Sequence, residues 1–444
     1  GERPVRSIMQ PELPIVSAAT PLDDLRDLFL ERSYRFVVVE DAGEPAGIVT
    51  RMELFRRLFE HQHEAGAALD NRMAGVRPIS QSSTRLLREF ASPWVQRLLA
   101  AAHEVADRQR VSVYLVGGMV RDLLLERPNE DVDLVVEGDG IAFAADLAKT
   151  LGGRHHPHLP FLTAVVSLPG GFRVDVVSAR TEFYRTPAAL PEVMTSLIRQ
   201  DLYRRDFTIN SLAVALSGER HGELVDFFGG RKDIQHREIR VLHSLSFIDD
   251  PTRALRAVRY ARRLGFTIAP DTRNLITTAL AEGVFERLSG QRLRRELELL
   301  LAEPHPAPAL ALVAELGLLP AIVPDLKWSE EVRSYLLEVE GQLAWHQLEQ
   351  LGPTPESWVL YLGGLALQAG PEAGDRLVER LQLGGSVRQQ FLDLAGEVAD
   401  IERAADPDSP RSKRVRLVEE ASTEALLLGM AALPLERRRL VADA

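Results

Sequence analysis

Cysteine is absent from this 444-residue chain, so disulfide bonds and thiolate metal centres are excluded. That absence fits a reducing compartment, and we expect the protein in the cytoplasm. No apolar run approaches the roughly 20 residues that a membrane helix needs, so we expect no membrane partner. Lysine is nearly absent as well, with four occurrences at Lys149, Lys232, Lys327 and Lys413. Arginine therefore carries almost all positive charge, which suits phosphate binding, although base bias in the gene is an alternative explanation.

The charge of the chain is acidic in total but unevenly spread. The formal net charge is −11, yet residues 199–302 hold 18 Arg and Lys against 14 Asp and Glu. Residues 1–70 hold 8 basic against 13 acidic side chains. A nucleic-acid partner would therefore meet a local basic surface rather than a basic molecule. The length of the chain predicts several domains.

The segment VYLVGGMVRDLL predicts a strand, a glycine turn and a helix. The strand covers 113–116, Gly117 and Gly118 break it, and a helix follows over 119–125. Backbone N–H groups at such a turn can close on an anion, and a triphosphate is the natural ligand. Arg121 lies where it can reach a phosphate, whereas Asp122 either caps the helix or pairs with Arg121.

Two aspartates on the next predicted strand, 131–136, indicate a cation site. Asp131 and Asp133 are two residues apart, so both carboxylates lie on one strand face. Like charges so placed repel each other unless a cation lies between them, and oxygen ligands suit Mg²⁺. A solvated strand is the alternative for an isolated Asp-x-Asp. Asp175, on a predicted neighbouring strand, is a candidate third carboxylate, unless it only pairs with Arg173 or Arg180.

The first 68 residues resemble a CBS domain through the segments VRSIMQPELPIV and FVVVEDAGEPAGIVTRMELF. The pattern predicts a helix over 22–31, strands over 35–40 and 46–50, and a helix over 51–61. CBS modules often bind adenine nucleotides as pairs, so a single copy leaves nucleotide binding, spacing and dimerisation open. A polar stretch follows, and we predict a linker over 69–90.

Five motifs in order resemble the class II tRNA nucleotidyltransferases and their bacterial poly(A) polymerase relatives. The first is LVGGMVRD together with DVDLVV, and the second to fifth are DLYRRDFTINSLA, DFFGGRKDI, DDPTRALRAVRYARRLGF and ERLSGQRLRRELELLL. The resemblance implies catalytic roles for Asp131, Asp133 and Asp175, with two Mg²⁺ ions held by Asp131 and Asp133. It implies a nucleotide-binding set of Gly117, Gly118, Arg121, Asp122, Arg204, Arg205, Asp206, Asn210, Asp250, Arg253, Arg256 and Arg259. The last motif supplies Arg287, Arg292 and Glu296 as structural or tRNA-contacting positions.

Two pairs in these motifs have a physical rationale by spacing. Asp206 and Asn210 are four residues apart, one helical turn, so one face can present both. Asp250 and Arg253 are three apart, which predicts one helix face presenting a carboxylate and a guanidinium to the base edge. The alternative interpretation is that Asp250 and Arg253 only form an ion pair on the surface. The resemblance implies the base-reading role.

The expected fold is an α/β nucleotidyltransferase head with a polymerase-β-like mixed sheet, followed by helical neck, body and tail. We place the head at 91–226, the neck with its base-reading helix at 227–302, and the body and tail at 303–444. Leucines at three- and four-residue spacing, as at Leu293, Leu297 and Leu300, indicate amphipathic helices. The cluster His155, His156 and His158 lacks zinc-site spacing and is interpreted as a loop. Near it, Leu162 stands where the family usually has Gly.

The implied activity is template-independent nucleotide transfer to the 3′ end of tRNA, from ATP and with CTP as an alternative donor. The segment TEFYRTPAALPEVMTSLIRQ and the CBS-like start favour addition of the terminal A of CCA, with a partner enzyme adding the two C residues. CC-adding, CCA-adding and poly(A)-adding activities stay open. A nucleotide-sensing regulatory protein with a dead site is the alternative from another class, and the intact Asp131 and Asp133 argue against it.

Overall fold

The fold is described from a computed structural model over residues 14–31, 36–50, 54, 79–183, 192–324 and 326–444. Internal contacts divide the chain into two compact units. The first unit contains residues 1–250 and 267–275, and the second contains residues 251–266 and 276–444. The candidate carboxylates all lie in the first unit.

The N-terminal piece contains a small sheet and one helix. Its elements are β1 (Ile15–Ser17), α1 (Leu22–Glu31), β2 (Phe36–Asp41) and β3 (Glu44–Thr50). β1 runs parallel to β2, and β3 pairs antiparallel with β2. The predicted helix and both predicted strands are present, while the helix predicted over 51–61 lies outside the described residues except for the buried Leu54.

The head is built on an eight-stranded mixed sheet with the order β4-β13-β12-β5-β6-β9-β8-β7. The strands are β4 (Ile79–Ser82), β5 (Ser112–Val116), β6 (Val132–Glu137), β7 (Arg154–His158), β8 (Thr163–Ser167), β9 (Arg173–Ser178), β12 (Leu212–Ala215) and β13 (Glu223–Asp226). Within this eight-stranded sheet, neighbouring strands pair antiparallel except that β6 runs parallel to β9. A separate hairpin joins β10 (Arg180–Phe183) to β11 (Glu192–Thr195). The mixed sheet predicted for the head is confirmed.

Both ends of this sheet differ from what the sequence predicts. The predicted linker over 69–90 contains β4, which pairs with β13, and helix α2 (Thr84–Phe90). The histidine cluster interpreted as a loop is the edge strand β7, which pairs with β8. An edge strand is held by backbone hydrogen bonds to one neighbouring strand. Polar side chains do not prevent these bonds from forming. Composition alone therefore misreads both edges.

Helices cover one face of the head sheet. Helix α3 (Pro93–Gln109) buries the predicted apolar face, including Val95, Leu98 and Val105. Helix α4 (Gly118–Leu124) follows β5, and α5 (Gly140–Thr150) packs against β6 to β9. The strand residues Ala164, Val166, Val174 and Val176 are buried on the α5 side.

The rest of the first unit carries the second and third motifs. Its elements are α6 (Ile198–Tyr203), a 3₁₀ turn (Thr208–Asn210), α7 (Gly230–His236), β14 (Glu238–Ile239), α8 (Ser246–Asp249) and β15 (Thr267–Ile268). Asp226 begins the turn into α7 and is fully buried. Its Oδ1 accepts hydrogen bonds from the backbone N–H groups of Phe228, Gly229 and Gly230 at 2.8–3.1 Å. The third motif therefore folds as a capped turn.

The second unit is helical over its described residues. Its helices are α9 (Arg253–Leu264), α11 (Gly290–Leu301), α12 (Pro306–Glu315), α13 (Glu330–Leu348), α14 (Ser357–Ala369), α15 (Ala373–Leu381), α16 (Gly385–Ala404), α17 (Arg411–Glu420), α18 (Thr423–Ala432) and α19 (Leu435–Ala442). Between α9 and α11, helix α10 (Pro270–Ala281) crosses the division between the units. Leu293, Leu297 and Leu300 are buried, as their spacing predicts. No described helix is long and apolar enough to span a bilayer.

Helix α18 packs closely on α16 at Gly429, so a substitution of this glycine tests the packing of the second unit. A Cβ added at Gly429 in α18 would lie 2.8 Å from Cβ of Ile401, an atom that cannot move without its backbone. We expect Gly429→Ala to lower the free energy of unfolding by about 1–3 kcal/mol, measured by chemical denaturation.

Gly396→Ala in α16 is the matched control, because an added Cβ there meets no heavy atom within 4 Å. Alanine is the better helix former, so this variant should gain up to about 1 kcal/mol. Equal effects of the two substitutions would contradict the described packing.

Candidate active site

The glycine turn between β5 and α4 lies directly against two charged side chains. Gly117 has φ +75° and ψ −139°, a conformation that favours glycine. A Cβ added there would lie 3.1 Å from Nη1 of Arg205 and 3.2 Å from Oδ2 of Asp133. At Gly118 the nearest atom, Nη2 of Arg121, would be at an ordinary 3.5 Å. The close approach of backbone to the candidate site therefore depends on Gly117.

Parallel pairing of β6 with β9 brings the predicted carboxylates together. Asp133 is directly opposite Asp175 in the strand register, and Asp131 immediately precedes β6. Burial is the main cause that raises the pKa of Asp133, to about 6. Arg205 opposes this rise, whereas the charges of Asp131 and Asp175 add to it. The pKa of Asp175 is also raised, first by burial and then by Asp131, with Arg173 opposing.

The chemistry of this donor set fits a divalent cation. Three carboxylates on one sheet face supply only oxygen atoms, which hard cations such as Mg²⁺ prefer. Burial, and after it the neighbouring carboxylates, raise the pKa of both Asp133 and Asp175, and a bound cation would favour their ionised forms. Among the described residues, no group of three or more acidic or histidine side chains has an arrangement that could by itself hold a metal ion. Substrate phosphates and water would have to complete the coordination, as is usual for Mg²⁺.

Arg121 lies in a buried network. Its side chain is 4% exposed, and its Nε and Nη2 donate to the two carboxylate oxygens of Asp122 at 2.8 and 2.9 Å. Its Nη1 donates to Oδ1 of Asn210 at 2.8 Å. Asn129 donates to Asp122 at 2.6 Å and accepts from the backbone N–H of Asp131 at 2.8 Å. The network ties the second motif to the loop that carries Asp131.

Asp206 and Asn210 meet, but not through the helical turn that their spacing predicts. Nδ2 of Asn210 donates to Oδ1 of Asp206 at 3.0 Å, and both residues are buried. Between them the chain forms a single 3₁₀ turn rather than an α-helix. The prediction of one helix face is wrong, while the predicted proximity is confirmed.

Asp201 is a buried residue that the sequence analysis did not single out. It is fully buried, and its Oδ1 accepts from Nη2 of Arg204 at 2.8 Å. Its Oδ2 accepts from Nη2 of Arg205 at 3.3 Å, and Oδ1 also accepts from the backbone N–H of Arg180 at 3.2 Å. Burial alone would raise the pKa of Asp201, but the two arginines outweigh burial and lower it. Its position three and four residues before two arginines on a helix was the available signal.

The chain over the fourth motif is not one continuous helix. Helix α8 ends at Asp249, Asp250 is extended with φ −141° and ψ 93°, and α9 begins at Arg253. Pro251 follows Asp250, and a proline disfavours helical backbone in the residue before it. The prediction that Asp250 and Arg253 share one helix face is therefore wrong. Asp250 ends the first unit, and Arg253 is buried near the start of the second.

Arg256 and Arg259, predicted to bind nucleotide, each pair with acidic side chains. Arg256 lies 3.5 Å from Oε1 of Glu296, and Arg259 lies 3.6 Å from Oε2 of the same residue. Arg259 also lies 4.0 Å from Glu303 and is 8% exposed. These contacts join α9 to α11, so both arginines have a structural role in the second unit.

Protein families match three parts of the chain. The poly(A) polymerase head domain matches residues 113–240, and the CBS domain matches residues 5–60. Residues 265–329 match the family described as "Probable RNA and SrmB- binding site of polymerase A". The head match covers the Gly117 turn, the three carboxylates and the second motif.

Curated relatives are similar to this chain in sequence over long stretches. An A-adding tRNA nucleotidyltransferase of Geobacter sulfurreducens is 39% identical over 89% of this chain and 45% of its own length. A CC-adding tRNA nucleotidyltransferase of Deinococcus radiodurans is 36% identical over 61% of this chain and 67% of its own. The chain thus spans less than half of the Geobacter relative.

Solved structures agree in fold. A CCA-adding enzyme in an apo form matches with a TM-score of 0.75 and 33% identity, over 82% of this chain and 86% of that one. The Thermotoga maritima CCA-adding enzyme complexed with tRNA matches with a TM-score of 0.71 and 32% identity, over 82% and 85%. Further matched CCA-adding enzyme structures are complexes with ATP and with CTP.

The mixed sheet, the paired strand carboxylates and the glycine turn together define a nucleotidyltransferase head. With these matches, the chain belongs to the family of tRNA nucleotidyltransferases and bacterial poly(A) polymerases, and it carries a CBS domain before the head. Metal dependence is general in this family.

Asp201 gives a pH-dependent test of how the site is held. Its lowered pKa means that its ionised form stabilises the folded head above the ordinary value of 3.8, and this stability is lost as pH falls through the lower folded pKa. We expect Asp201→Asn to cost about 3 kcal/mol of unfolding free energy at pH 7, because two arginines lose their buried partner. In denaturation series from pH 7 to pH 3, the deficit should shrink below 3.8.

Asp146→Asn is the matched control, since asparagine can still accept the 2.7 Å hydrogen bond from Gln109. Its effect should stay within about 0.5 kcal/mol. A deficit for Asp201→Asn that is unchanged across this pH range would show that the carboxylate charge is not what holds the arginines.

Proposed function

We propose that this chain transfers AMP from ATP to the 3′ end of tRNA and so adds the terminal A of CCA. The observation that carries the proposal is the placement of Asp131, Asp133 and Asp175 on one sheet face beside the Gly117 turn and Arg205. The A-adding relative, matched over 89% of this chain, supports the choice of nucleotide. Because the chain spans only part of that relative, the activity, substrates and partners are proposed for this chain rather than transferred to it.

We propose two Mg²⁺ ions as the cofactor, with Asp131 and Asp133 as the protein ligands. Asp175 either completes the cation site or accepts the proton of the attacking hydroxyl, since it is directly opposite Asp133. When bound, the ions lower the pKa of the RNA 3′-OH and stabilise the leaving pyrophosphate. This assignment is supported by the raised pKa of Asp133 and of Asp175, which burial and the neighbouring carboxylates cause.

The protein groups around the carboxylates have separable proposed roles. The backbone at Gly117 and Gly118 and the Arg205 guanidinium bind the triphosphate, which must lie against the turn that only glycine permits. Asp206 and Asn210 bind the ribose, with Arg204 held beside them by Asp201. Arg121 and Asp122 act as positioning residues, because their polar atoms are committed to each other and to Asn210.

Base recognition is proposed for Asp250, which precedes Pro251, and Arg253, which lies two residues after it. A carboxylate accepts from an amino group and a guanidinium donates to ring nitrogens or carbonyls, so the wrong base would leave polar groups unpaired. Arg256 and Arg259 are reassigned to the ion pairs with Glu296 and Glu303 that hold α9 on α11. They then support the start of α9, where Arg253 lies.

The RNA partner is proposed to contact the helical part of the chain, where residues 265–329 match an RNA-binding family. Binding through phosphate contacts should weaken as salt rises.

A separate CC-adding enzyme is the expected upstream partner, and the cytoplasm is the expected location. We keep the proposed CBS domain at 1–68, the neck at 227–302 and the body and tail at 303–444. We extend the proposed head from 91–226 to 79–226, because β4 pairs with β13 in the head sheet.

The test uses the purified chain, Mg²⁺, and two tRNAs, one ending in CC and one lacking the whole CCA end. We expect one A to be added to the CC-ended tRNA with ATP, and no C to be added to the shorter tRNA with CTP. Asp131→Ala should abolish incorporation, because the cation loses a ligand.

The other outcomes identify the alternatives. Addition of C to the shorter tRNA would make the chain a CC- or CCA-adding enzyme. Unlimited addition of A to an arbitrary RNA would make it a poly(A) polymerase. No incorporation, with Asp131→Ala behaving like the wild type, would support a nucleotide-sensing regulatory protein.

A further inference from the structure

The sheet face that carries the carboxylates continues to the edge strand of the head. Asp133 in β6 is opposite Asp175 in β9, Asp175 is opposite Val165 in β8, and Val165 is opposite His156 in β7. Directly opposed residues on neighbouring strands point to the same face of a sheet. The imidazole of His156 therefore lies on the same face as the catalytic carboxylates.

Basic and aromatic groups line the neighbouring rows of this face. On one side of the row, Arg173 is opposite Ser167, which is opposite Arg154. On the other side, Thr163 is opposite His158. Helix α5 covers the reverse face of the same strands, so the row residues face outward. Arg154, His156, His158 and Arg173 are all exposed.

His158 extends this surface into a stacked ring pair. Its imidazole lies 5.1 Å from the Phe161 ring, with an interplanar angle of 18°, and Phe161 is 37% exposed. The turn carrying Phe161 is anchored to the end of β9, because Ser178 N–H donates to the carbonyl of Leu162 at 2.9 Å. Arg180 also donates to the Phe161 carbonyl. The ring pair is thus a fixed feature of the head.

Leu162 explains how the turn reaches that position. It adopts a left-handed backbone conformation with φ +54°, at the position where the family usually has glycine. The family preference therefore reflects the backbone required here, which this chain adopts with a leucine. The turn is tight enough to return Phe161 to the ring of His158 three residues earlier.

We propose that this face, defined as Arg154, His156, His158, Phe161 and Arg173, binds the single-stranded 3′ end of the RNA acceptor. Exposed rings offer stacking to unpaired bases, and the two arginines offer contacts to phosphates. At about 4.8 Å per strand, His156 lies about 14 Å from Asp133, a span of about four stacked nucleotides. The surface therefore begins beside the candidate catalytic carboxylates and is long enough for an acceptor end. This inference rests on the proposed function and names the site for its RNA substrate.

Charge complementarity favours a polyanion as the occupant. The acidic members of the three rows are Asp133 and Asp175, which belong to the candidate cation site. Beyond them toward β7, the rows contain arginine, histidine, serine, threonine and valine. Arg173 is close enough to Asp175 to lower its pKa against the effect of burial. An RNA strand following these rows would therefore pass from basic groups to the candidate catalytic carboxylates.

The test compares two variants of the same strand. His156→Ala/His158→Ala removes the imidazoles of the proposed surface, whereas His155→Ala removes an exposed imidazole from the opposite face of β7. Affinity is measured by fluorescence anisotropy with 5′-labelled tRNA, without ATP, at fixed salt. One tRNA ends in CC, and the other has its single-stranded 3′ end removed.

We expect the double variant to bind the CC-ended tRNA about tenfold more weakly, the scale of losing a stacked base. It should bind the trimmed tRNA like the wild type, and His155→Ala should bind both like the wild type. Arg154→Gln should lower the slope of log affinity against log salt by about one phosphate contact. All three variants change exposed side chains, and unchanged thermal unfolding midpoints would establish that each is folded.

Two results would overturn the proposal. Equal weakening on both tRNAs would place the contact on the body of the tRNA rather than its 3′ end. If the double variant binds the CC-ended tRNA as tightly as the wild type does, the histidines do not contact RNA. The polar residues of β7 would then only prevent another strand from pairing with this edge. Because binding is read without ATP, these results concern the surface, whereas failure of the wild type to incorporate nucleotide would instead overturn the proposed function.

Discussion

The parallel pairing of β6 with β9 is the constraint on which the candidate site depends. It places Asp133 opposite Asp175 in the middle of an otherwise antiparallel sheet, with Asp131 one step before β6. Burial, and after it the negative charges of Asp131 and Asp175, raise the pKa of Asp133 to about 6, so the ionised cluster destabilises the folded head. A sheet without a bound cation or substrate has no physical reason to hold this arrangement, so the carboxylates are best explained by function.

Buried polar networks hold the groups around this cluster. Asp201 fixes Arg204 and Arg205 from one side, and Arg121 with Asp122 fixes Asn210 and the Asn129 loop from the other. Each network joins segments far apart in sequence, so the second motif is positioned by partners that lie outside it. Preorganised charges of this kind act without reorganising during the reaction, which is the main electrostatic contribution of many enzyme sites.

Sequence reasoning found the parts of the site that rest on local pattern. Alternation predicts that Asp131 and Asp133 share a face, and strand-to-helix glycines predict the turn at Gly117. It failed where tertiary pairing or a single proline decides the outcome. Pro251 separates Asp250 from α9, and strand pairing makes β4 and β7 of segments that were predicted as a linker and a loop.

The edge strand β7 shows the same limit in another form. Its residues, RHHPH, carry no apolar alternation, since neither face of the strand is buried. Only pairing with β8 makes it a strand and aligns His156 with Asp175 through Val165. The register of a strand depends on the strand with which it pairs. The local sequence pattern of β7 does not identify that partner. A cluster that fails as a metal motif can thus still lie on a functional face.

If the carboxylates hold a divalent cation for nucleotide transfer, a metal ion should bind to the head through Asp133. The most direct measurement is binding of Mn²⁺ by electron paramagnetic resonance, with ATP present, in the wild type and in Asp133→Asn. Asp139→Asn is the control, because asparagine can still cap α5 through the hydrogen bonds that Asp139 makes to Ile141 and Ala142. The account predicts that Asp133→Asn loses protein-bound Mn²⁺ while Asp139→Asn keeps it. Equal Mn²⁺ binding by all three proteins would contradict it.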